Sequence, residues 1–412
     1  MLKRIVISNY RSCLHTRINL HPNLTVLIGP NSSGKTNILQ AIMLLKKLSQ
    51  PTEHKSASEY PGALSCRVRS LFHLSGVQAD LNAALKVFTD ESNNDRVVDS
   101  KQSCLFTAPK RKKLLVKDPF HYLGYIRHGF SPSQTSFLIA REMHLRFSGM
   151  SSRPNPDWVM QATQRIAAFC GSITYYGASQ FTNPGNCPTW IEVNREGAPV
   201  SPYRIRGHGT VLHSMYTADK SKHNHQYRKF LELVGPNGLR LIDALTFREV
   251  RSSSMEYHVR VGGKLERRKR ENKLVIPQFR IGRQILSPNQ LSEGTFKTLV
   301  LLFHLITEKS SALLIEEPEV CVHHGLLASI LEIIRSSSIR KQIILSTHSD
   351  FVLDHVRPEN VIAVKFDGSL GTVAHSIQKT MNRKELSALR DYLETTGNLG
   401  DFWREGGLGD RP

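Results

Sequence analysis

The sequence predicts an α/β fold in which a largely parallel sheet carries helices on its faces. Near the start of the chain, the apolar run "NLTVLIG" ends at a glycine, and after a turn the helical pattern "NILQAIMLLKKLS" follows. Near the end, the apolar runs "ALLIEEPE" and "KQIILSTHS" are separated by the helical pattern "GLLASILEIIRSSS". Buried strands that alternate with helices are typical of parallel sheets, because the helices cover both faces.

Changes of texture along the chain predict four segments. Residues 1–49 and 285–412 carry the strand and helix patterns and form the two parts of one α/β domain. Residues 50–170 are predicted to be an inserted, partly helical region of mixed structure, because polar loops interrupt it. Residues 171–284 are predicted to be rich in strands, since "ALTFREVR" and "MEYHVRVGGKLERRKR" alternate like two paired strands around a tight turn.

The composition is that of a globular protein, with 40% hydrophobic and 22% charged residues in 412. A membrane span needs about 18 consecutive apolar residues, and no apolar run of the sequence is that long. The first residues also lack the pattern of a secretory signal. The six cysteines lie far apart and form no C-x-x-C pair, which argues against a disulfide framework or a zinc site. We therefore expect a cytoplasmic protein with no membrane partner.

The net charge predicts a polyanionic partner. Lys and Arg number 55 against 35 for Asp and Glu, which gives +20, and nucleic acid is the natural partner of such a chain. Two compact basic runs, Lys110–Lys113 and Arg267–Arg270, could bind phosphates without reading bases. Each run by itself is also typical of a solvated loop.

The turn after the first apolar strand fits the phosphate-binding pattern G-x-x-x-x-G-K-[ST]. Its glycines let backbone N–H groups turn toward phosphates, and the following helix adds its positive dipole end. Lys35 would bridge the outer phosphates, and the Thr36 hydroxyl would ligate Mg²⁺. ATP and Mg²⁺ are thus the expected cofactors. The predicted phosphate-binding residues are Gly29, Pro30, Asn31, Ser32, Ser33, Gly34, Lys35 and Thr36.

Three side chains at the ends of later strands are candidates for the chemistry. Glu316 ends an apolar strand, where its carboxylate could hold Mg²⁺ through water, and Glu317 follows, where it could align the attacking water. The alternative is an ordinary acidic turn. His348 ends the next apolar strand and could contact the γ-phosphate; a purely structural histidine is the alternative.

The stretch "LSEGTFK" predicts a second anion site. Ser292 and Gly294 open a helix, so a hydroxyl and free N–H groups point toward any anion there. A chain with one phosphate loop does not need another for the same nucleotide. We therefore expect this site to face the γ-phosphate bound by a second copy of the chain, a simple helix N-cap being the alternative.

In this order, the motifs resemble those of the ATP-binding-cassette head domains of SMC, RecF and OLD-type ATPases. "GPNSSGKT" matches the Walker A loop, "LSEGTFK" resembles the signature motif, "LLIEEPE" the Walker B strand and "STHS" the switch-histidine loop. The resemblance covers residues 1–49 and 285–412. It implies a P-loop NTPase of the ABC-ATPase head type, with an inserted mixed α/β region, that dimerises around ATP and hydrolyses it.

The same resemblance assigns roles to residues outside the motifs. It implies that Arg11 lies near the nucleotide and that Asn31 lies within the phosphate loop. Gln180, which follows a predicted strand in "YYGASQF", is a candidate for the metal-contacting glutamine of such heads, and an ordinary loop glutamine is the alternative. Glu293 and Glu316 stand where transporters of this class commonly have glycine and aspartate, which argues against a transporter.

The ending "GNLGDFWREGGLGDRP" resembles the tails of stand-alone ATPases of bacterial antiphage defence operons. Only 64 residues follow His348, too few for the TOPRIM nuclease domain of OLD proteins. The resemblance implies a homodimer or higher homo-oligomer that senses invasion and controls a separately encoded effector, a nuclease or toxin. The alternatives are a RecF-like DNA-repair ATPase and a slow-turnover ATP-binding scaffold that holds an effector.

Overall fold

The computed structural model describes residues 1–49, 65–74, 76–89, 96–107, 113–120, 157–194, 196–200, 207–221, 224–259, 265–320, 322–395 and 397–405. The chain forms two compact units. The first unit consists of Met1–Tyr175, Lys309–Glu317 and Ile334–Pro412, and the second of Tyr176–Glu308 and Pro318–Ile333.

The strands and helices of the described residues have the following bounds. The strands are β1 (Leu2–Tyr10), β2 (Cys13–Asn19), β3 (Leu24–Ile28), β4 (Ser65–Leu74), β5 (Val77–Thr89), β6 (Arg96–Thr107), β7 (Lys113–Lys117), β8 (Thr174–Gly177), β9 (Ile191–Val193), β10 (Ala244–Val259), β11 (Leu265–Ile281), β12 (Gln284–Leu286), β13 (Ala312–Glu316), β14 (Gln342–Thr347), β15 (Val361–Asp367) and β16 (Gly371–Ser376). The helices are α1 (Lys35–Leu48), α2 (Asp157–Gly171), α3 (His208–Lys220), α4 (His225–Val234), α5 (Glu293–Thr307), α6 (His324–Ser337), α7 (Asp350–Leu353), α8 (Ile377–Thr380), α9 (Arg383–Thr395) and α10 (Leu399–Arg404).

The predicted parallel sheet is present, with the strand order β16-β15-β3-β14-β13-β8. The strands β15, β3, β14 and β13 are parallel to one another, and β16 pairs antiparallel with β15 as the predicted hairpin. Each residue of β3, β13 and β14 is buried, as expected for strands covered on both faces. The carboxyl ends of these three strands meet at one edge of the sheet, where ligands of open α/β folds bind.

A second sheet of the first unit is antiparallel, with the order β2-β1-β4-β5-β6-β7. The described part of residues 50–170 supplies β4, β5, β6 and β7 to this sheet and adds α2. Along β4, every second residue is buried and the residues between them are exposed or partly exposed. One face of the strand therefore meets the core and the other meets solvent. The sequence-based prediction for residues 50–170 did not include these four strands. The division of the chain at residues 49, 170 and 284 stays a prediction.

Helix α1 packs between the two sheets of the first unit. Its buried residues include Ile38, Leu39, Ile42 and Leu45, which lie on more than one face of the helix. They join one core with residues of both sheets and of α2. The apolar character of α1 on most of its faces therefore follows from burial on two sides.

The second unit contains the predicted long hairpin. Strands β10 and β11 pair antiparallel from Ala244 opposite Arg280 to Val259 opposite Leu265, and β9 and β12 flank β11. The run Arg267–Arg270 lies on β11, whereas the run Lys110–Lys113 is outside the described residues except for the exposed Lys113. In the described part of the chain, no helix combines the length and the apolar character that a membrane span requires.

Candidate functional site

The phosphate loop connects β3 to α1 and lies against the β15–β16 hairpin. Gly34 has a φ of 100°, and a Cβ atom on it would lie 2.0 Å from Thr372 Oγ1. A Cβ atom on Gly29 would lie 2.0 Å from the carbonyl oxygen of Val364. Both motif glycines are therefore required by the close approach of the loop to the hairpin, in addition to any role toward phosphate.

The lysine of the loop is held in place by the loop itself. Lys35 is 5% exposed, and its Nζ donates hydrogen bonds to the carbonyl oxygens of Gly29 at 2.7 Å and Pro30 at 2.9 Å. An ammonium held by neutral carbonyls can exchange them for phosphate oxygens, with which its hydrogen bonds are stronger. Asn31 and Ser32 are exposed at the tip of the loop, where Ser32 adopts a φ of 66°.

Glu316 lies next to the phosphate loop, as the sequence predicted for a metal-binding acid. The Thr36 hydroxyl donates to Glu316 Oε1, and the Tyr175 hydroxyl donates to Glu316 Oε2. Glu316 is only 9% exposed, so each carboxylate oxygen depends on these protein donors. A hydroxyl and a carboxylate in contact form a set of oxygen ligands that suits hydrated Mg²⁺.

Tyr175, which contacts Glu316 directly, is a residue that no motif in the sequence identifies. Burial raises the pKa of its phenol, and the hydrogen bond and charge of Glu316 raise the pKa further, so the hydroxyl remains a donor at neutral pH. Its position in "SITYYGAS" carries only a strand signal. The contact with Glu316 arises because β8 lies beside β13 in the sheet, and this neighbourhood is not visible in sequence.

Glu317 and His348 follow adjacent strands and lie close together. The Nδ1 atom of His348 is 3.6 Å from Glu317 Oε1, and both side chains are partly exposed. Glu317 has a φ of 48°, a strained conformation for glutamate, and its N–H donates to the carbonyl oxygen of Ser346 at 2.9 Å. The positive φ of Glu317 ends the extended conformation of β13, while its N–H bond still ties this residue to β14.

Arg11 is connected to the first turn of α1. Its guanidinium donates to Asn37 Oδ1 at 3.2 Å, and Asn37 Nδ2 donates to Ser12 Oγ at 2.6 Å. Ser12 Oγ lies 2.7 Å from Thr372 Oγ1, which donates to the Ser33 carbonyl of the phosphate loop at 3.1 Å. Ser12, Asn37 and Thr372 thus support the loop from behind, and no motif in the sequence identifies them.

The donor set fits a magnesium ion that is bound together with a nucleotide. Within the described ranges, no group of three or more His, Cys, Asp or Glu side chains could hold a metal ion. The Ser33 hydroxyl in the loop is buried without a hydrogen-bond partner, and so is the Ser346 hydroxyl on β14. Thr36 and Glu316 would hold a hydrated Mg²⁺ that arrives with phosphates, while Lys35 would neutralise their charge.

The signature-like stretch lies in the second unit and opens α5 as predicted. Ser292 is exposed, and its Oγ accepts from the Thr295 N–H at 3.2 Å. Glu293, which departs from the transporter pattern, accepts a hydrogen bond from the buried Lys297 at 2.6 Å. The backbone N–H of Asn183 also donates to Glu293 Oε2, at 3.4 Å. Glu293 therefore fixes the first turn of α5 and leaves Ser292 and Gly294 at its start.

Gln180 also lies in the second unit. It is exposed within the short 3₁₀ helix Ala178–Phe181, which directly follows β8. Its role toward a metal ion stays a prediction.

Two parts of the chain match models of ATPase families. Residues 1–115 match the model described as AAA ATPase domain. Residues 199–354 match the model described as AAA domain, putative AbiEii toxin, Type IV TA system. The first match contains the phosphate loop, and the second contains Ser292, Glu316, Glu317 and His348.

The chain is also similar to RecF proteins and SMC heads. The DNA replication and repair protein RecF of Lactococcus lactis subsp. cremoris is 46% identical over 44 residues, which are 11% of this chain and 12% of that protein. RecF of Moorella thermoacetica is 30% identical over 105 residues, 24% of this chain and 28% of that protein. The chain thus covers less than a third of these relatives.

Solved structures of SMC heads are also similar to this chain. The SMC head domain from Thermotoga maritima is 14% identical with a TM-score of 0.37, and the match covers 91% of this chain and 98% of that chain. A SmcHead bound to the C-winged helix domain of ScpA is 13% identical with a TM-score of 0.44, covering 92% and 99%.

These observations define the class of protein. The parallel sheet, the loop between β3 and α1 and the acids after β13 form a P-loop NTPase fold of mixed α/β type. The matches to the AAA ATPase models and to RecF support membership of the SMC/RecF-like superfamily of ABC-type ATPases, as the motifs in the sequence indicated.

Proposed function

We propose that the chain is a Mg²⁺-dependent ATPase that switches between two states as it binds and hydrolyses ATP. One observation carries this proposal: at one edge of the parallel sheet, a buried lysine in a phosphate loop lies near a carboxylate bonded to the loop threonine, followed by a glutamate beside a histidine. These residues are Lys35, Thr36, Glu316, Glu317 and His348.

Each residue has a distinct task in the proposed reaction. Lys35 would bind the outer phosphates, and Thr36 and Glu316 would hold the metal ion that accompanies them. Bound Mg²⁺ supplies neutralisation of the charge that develops on the phosphate oxygens. Glu317 aligns the attacking water with the γ-phosphate and accepts its proton. His348 contacts the γ-phosphate from the neighbouring strand end.

The proposed switch is a homodimer, or a higher homo-oligomer, closed around ATP in the cytoplasm. Ser292 and Gly294 of one copy complete the site formed by Gly29–Thr36 of the other. The exposure of Ser292 and the ordered first turn of α5 support this arrangement, because an anion can reach a helix start of this kind. Binding closes the dimer, and hydrolysis reopens it.

The test measures ATP binding, hydrolysis and molar mass for the wild type and three variants. We expect Lys35→Ala to lose ATP binding. Glu317→Gln should retain binding, lose about 100-fold or more of the hydrolysis rate and accumulate as an ATP-bound dimer. Ser292→Arg should bind ATP as a monomer. Equally slow turnover in the wild type and Glu317→Gln would instead favour an ATP-binding scaffold.

We further propose that the switch senses invasion and controls a separately encoded effector, a nuclease or toxin, in antiphage defence. The tail, which resembles those of stand-alone defence ATPases, supports this role. The matched family description, which names a putative AbiEii toxin and a Type IV TA system, links a related domain to a toxin system. Bacteria carrying the gene with its neighbouring gene should resist phage, and Lys35→Ala should abolish the resistance. The neighbouring product should co-purify with the chain. Unchanged resistance in the Lys35→Ala strain would refute an ATP-driven sensor.

The second candidate is a RecF-like ATPase in DNA repair, which the matches to RecF favour. A deletion strain should then be sensitive to ultraviolet light without any change in phage resistance. Under the defence proposal, the same strain should show the opposite result, so one pair of survival assays separates the two roles.

A further inference from the structure

The antiparallel sheet of the first unit has one face buried and one face open to solvent. Its inward side chains, such as Ile7, Val68, Phe72, Leu81 and Phe106, belong to the core. The alternate residues of the same strands point away from the core, because successive side chains of a strand lie on opposite faces. We call this second side the outward face.

The strand register places basic residues of the outward face next to one another. Val6 on β1 lies between Arg17 on β2 and Arg69 on β4. Arg67, two residues before Arg69 on β4, is opposite Ala84 on β5. Ala84 is in turn opposite Lys101 on β6. Residues far apart in sequence therefore form one basic surface.

The outward face is strongly cationic. Its described strand positions include eight basic residues and two acidic residues. The basic residues are Arg4, Arg17, Arg67, Arg69, Lys86, Lys101, Lys113 and Lys117, and the acidic residues are Asp80 and Asp99. Asp80 is ion-paired with Arg69 at 2.6 Å. A shallow groove on this face is lined by Arg67, Lys86 and Lys101 together with Asp99.

We propose that the outward face binds the phosphate backbone of double-stranded nucleic acid. This inference goes beyond the proposed ATPase function: it rests on the polyanionic partner that the net charge of +20 predicts, and it names a surface other than the runs Lys110–Lys113 and Arg267–Arg270. Six strands at about 4.8 Å spacing make the face about 24 Å wide. A duplex presents one charge per about 1.7 Å of axis, so several phosphates can meet the basic residues together.

The chemistry of the face favours double-stranded over single-stranded nucleic acid. Among the outward positions whose side chains are described, none is phenylalanine, tyrosine or tryptophan. Binding of single strands relies on bases stacked on aromatic side chains, which these positions do not offer. Arginine and lysine on a sheet contact phosphates without reading sequence, so the binding should be independent of sequence.

The test uses the full chain and a duplex of about 30 base pairs of arbitrary sequence, with affinity measured between 50 and 200 mM salt. The variant Arg17→Gln/Arg67→Gln/Lys101→Gln removes three outward cations at exposed positions. The matched control Arg228→Gln/Lys229→Gln/Arg240→Gln removes the same charge from exposed positions outside this sheet. Thermal unfolding of each variant shows that it folds.

The salt dependence gives the expected result. With six net contacts, eight cations less two carboxylates, the wild type should lose about 10³-fold in affinity over this range, because the slope is about −0.9 for each phosphate. Loss of three contacts should reduce the slope by about 2.7, which leaves a loss of about 40-fold. The control should keep the slope of the wild type.

Three results would overturn the inference. If the outward-face variant keeps the slope while substitution of Arg267–Arg270 lowers it, the chain binds nucleic acid through a different surface. If the wild type binds no duplex at 50 mM salt, nucleic acid is not a partner. This result would not affect the ATPase proposal, which is tested separately by ATP binding and hydrolysis. Binding to anionic phosphatidylserine vesicles in place of duplex would assign the face to a membrane surface.

Discussion

The hydrogen bond from Tyr175 to Glu316 permits a quantitative prediction. Tyr175→Phe removes one hydroxyl and keeps the ring. Hydrogen bonds to charged groups contribute about 1.5–3 kcal/mol. Because Glu316 is 9% exposed, water cannot readily replace the lost donor. We expect the free energy of unfolding to fall by about 1.5–3 kcal/mol. The melting temperature should fall by about 2–4 °C, because the entropy of unfolding is about 2.1 cal/mol/K per residue over 412 residues.

The same variant should slow hydrolysis more than it weakens ATP binding. Tyr175 orients Glu316, whereas Lys35 and the loop backbone bind the phosphates. If the full 1.5–3 kcal/mol is lost from the transition state, the rate falls by about 10- to 150-fold. Steady-state ATPase assays over a range of Mg²⁺ concentrations and direct measurement of nucleotide binding separate the two effects.

The adjacent tyrosine provides a matched control. The Tyr176 hydroxyl donates to the carbonyl oxygen of Lys297 at 3.3 Å, a bond between neutral groups. Tyr176→Phe should cost about 0.5–1.5 kcal/mol and leave the Mg²⁺ dependence of hydrolysis unchanged. A double-mutant cycle with Glu316→Ala measures the coupling. If Tyr175→Phe costs the same in the wild type and in the Glu316→Ala background, the hydrogen bond is not the cause and the reasoning is refuted.

Three further predictions concern the loop, the second unit and the tail. Gly34→Ala should abolish ATP binding and lower the melting temperature, because its φ is 100° and a Cβ atom would lie 2.0 Å from a hydroxyl; calorimetry checks both, and equal binding would contradict it. Burial lowers the pKa of His208, so the neutral ring is favoured in the fold, and stability should fall as pH decreases below about 6.5. His208→Phe should flatten that part of the pH profile of urea unfolding, and an unchanged profile would refute the assignment. Gly400→Ala should destabilise the chain by about 1–3 kcal/mol, because its Cβ atom would lie 2.3 Å from a carboxylate oxygen of Asp354; Gly368→Ala, with no atom within 4 Å, is the control in the same thermal assay.

The tail shows how a motif acquires a physical meaning only in the fold. The sequence identified "GNLGDFWREGGLGDRP" by its resemblance to other tails. In the structure, the Gly400 N–H donates to Asp354 Oδ1 at 2.9 Å, and Arg404 pairs with Asp350 at 3.0 Å. Helix α10 therefore packs on α7, which begins two residues after His348, and burial raises the pKa of Asp354 at this contact.

Residues 65–117 show a pattern that could have been found and was not. In "SCRVRSLFHL", the residues Cys66, Val68, Phe72 and Leu74 alternate with exposed residues, which is the signal of a half-buried strand. Polar residues in the sequence on both sides of this stretch obscure the alternation. The pairing of β4 with β1 was not predictable, because strands that pair across about 60 residues of sequence leave no local signal.

The sequence by itself determined the phosphate loop, the helix cap at Ser292 and two parallel strands, one ending in Glu316 and the other directly followed by His348. These features are local, since each depends on residue types within a few positions of one another. The tertiary structure alone decided that Tyr175 meets Glu316, that Thr372 lies behind Gly34, and that scattered basic residues share one face of a sheet. Such contacts depend on which strands become neighbours, and that choice is made by burial of the whole core.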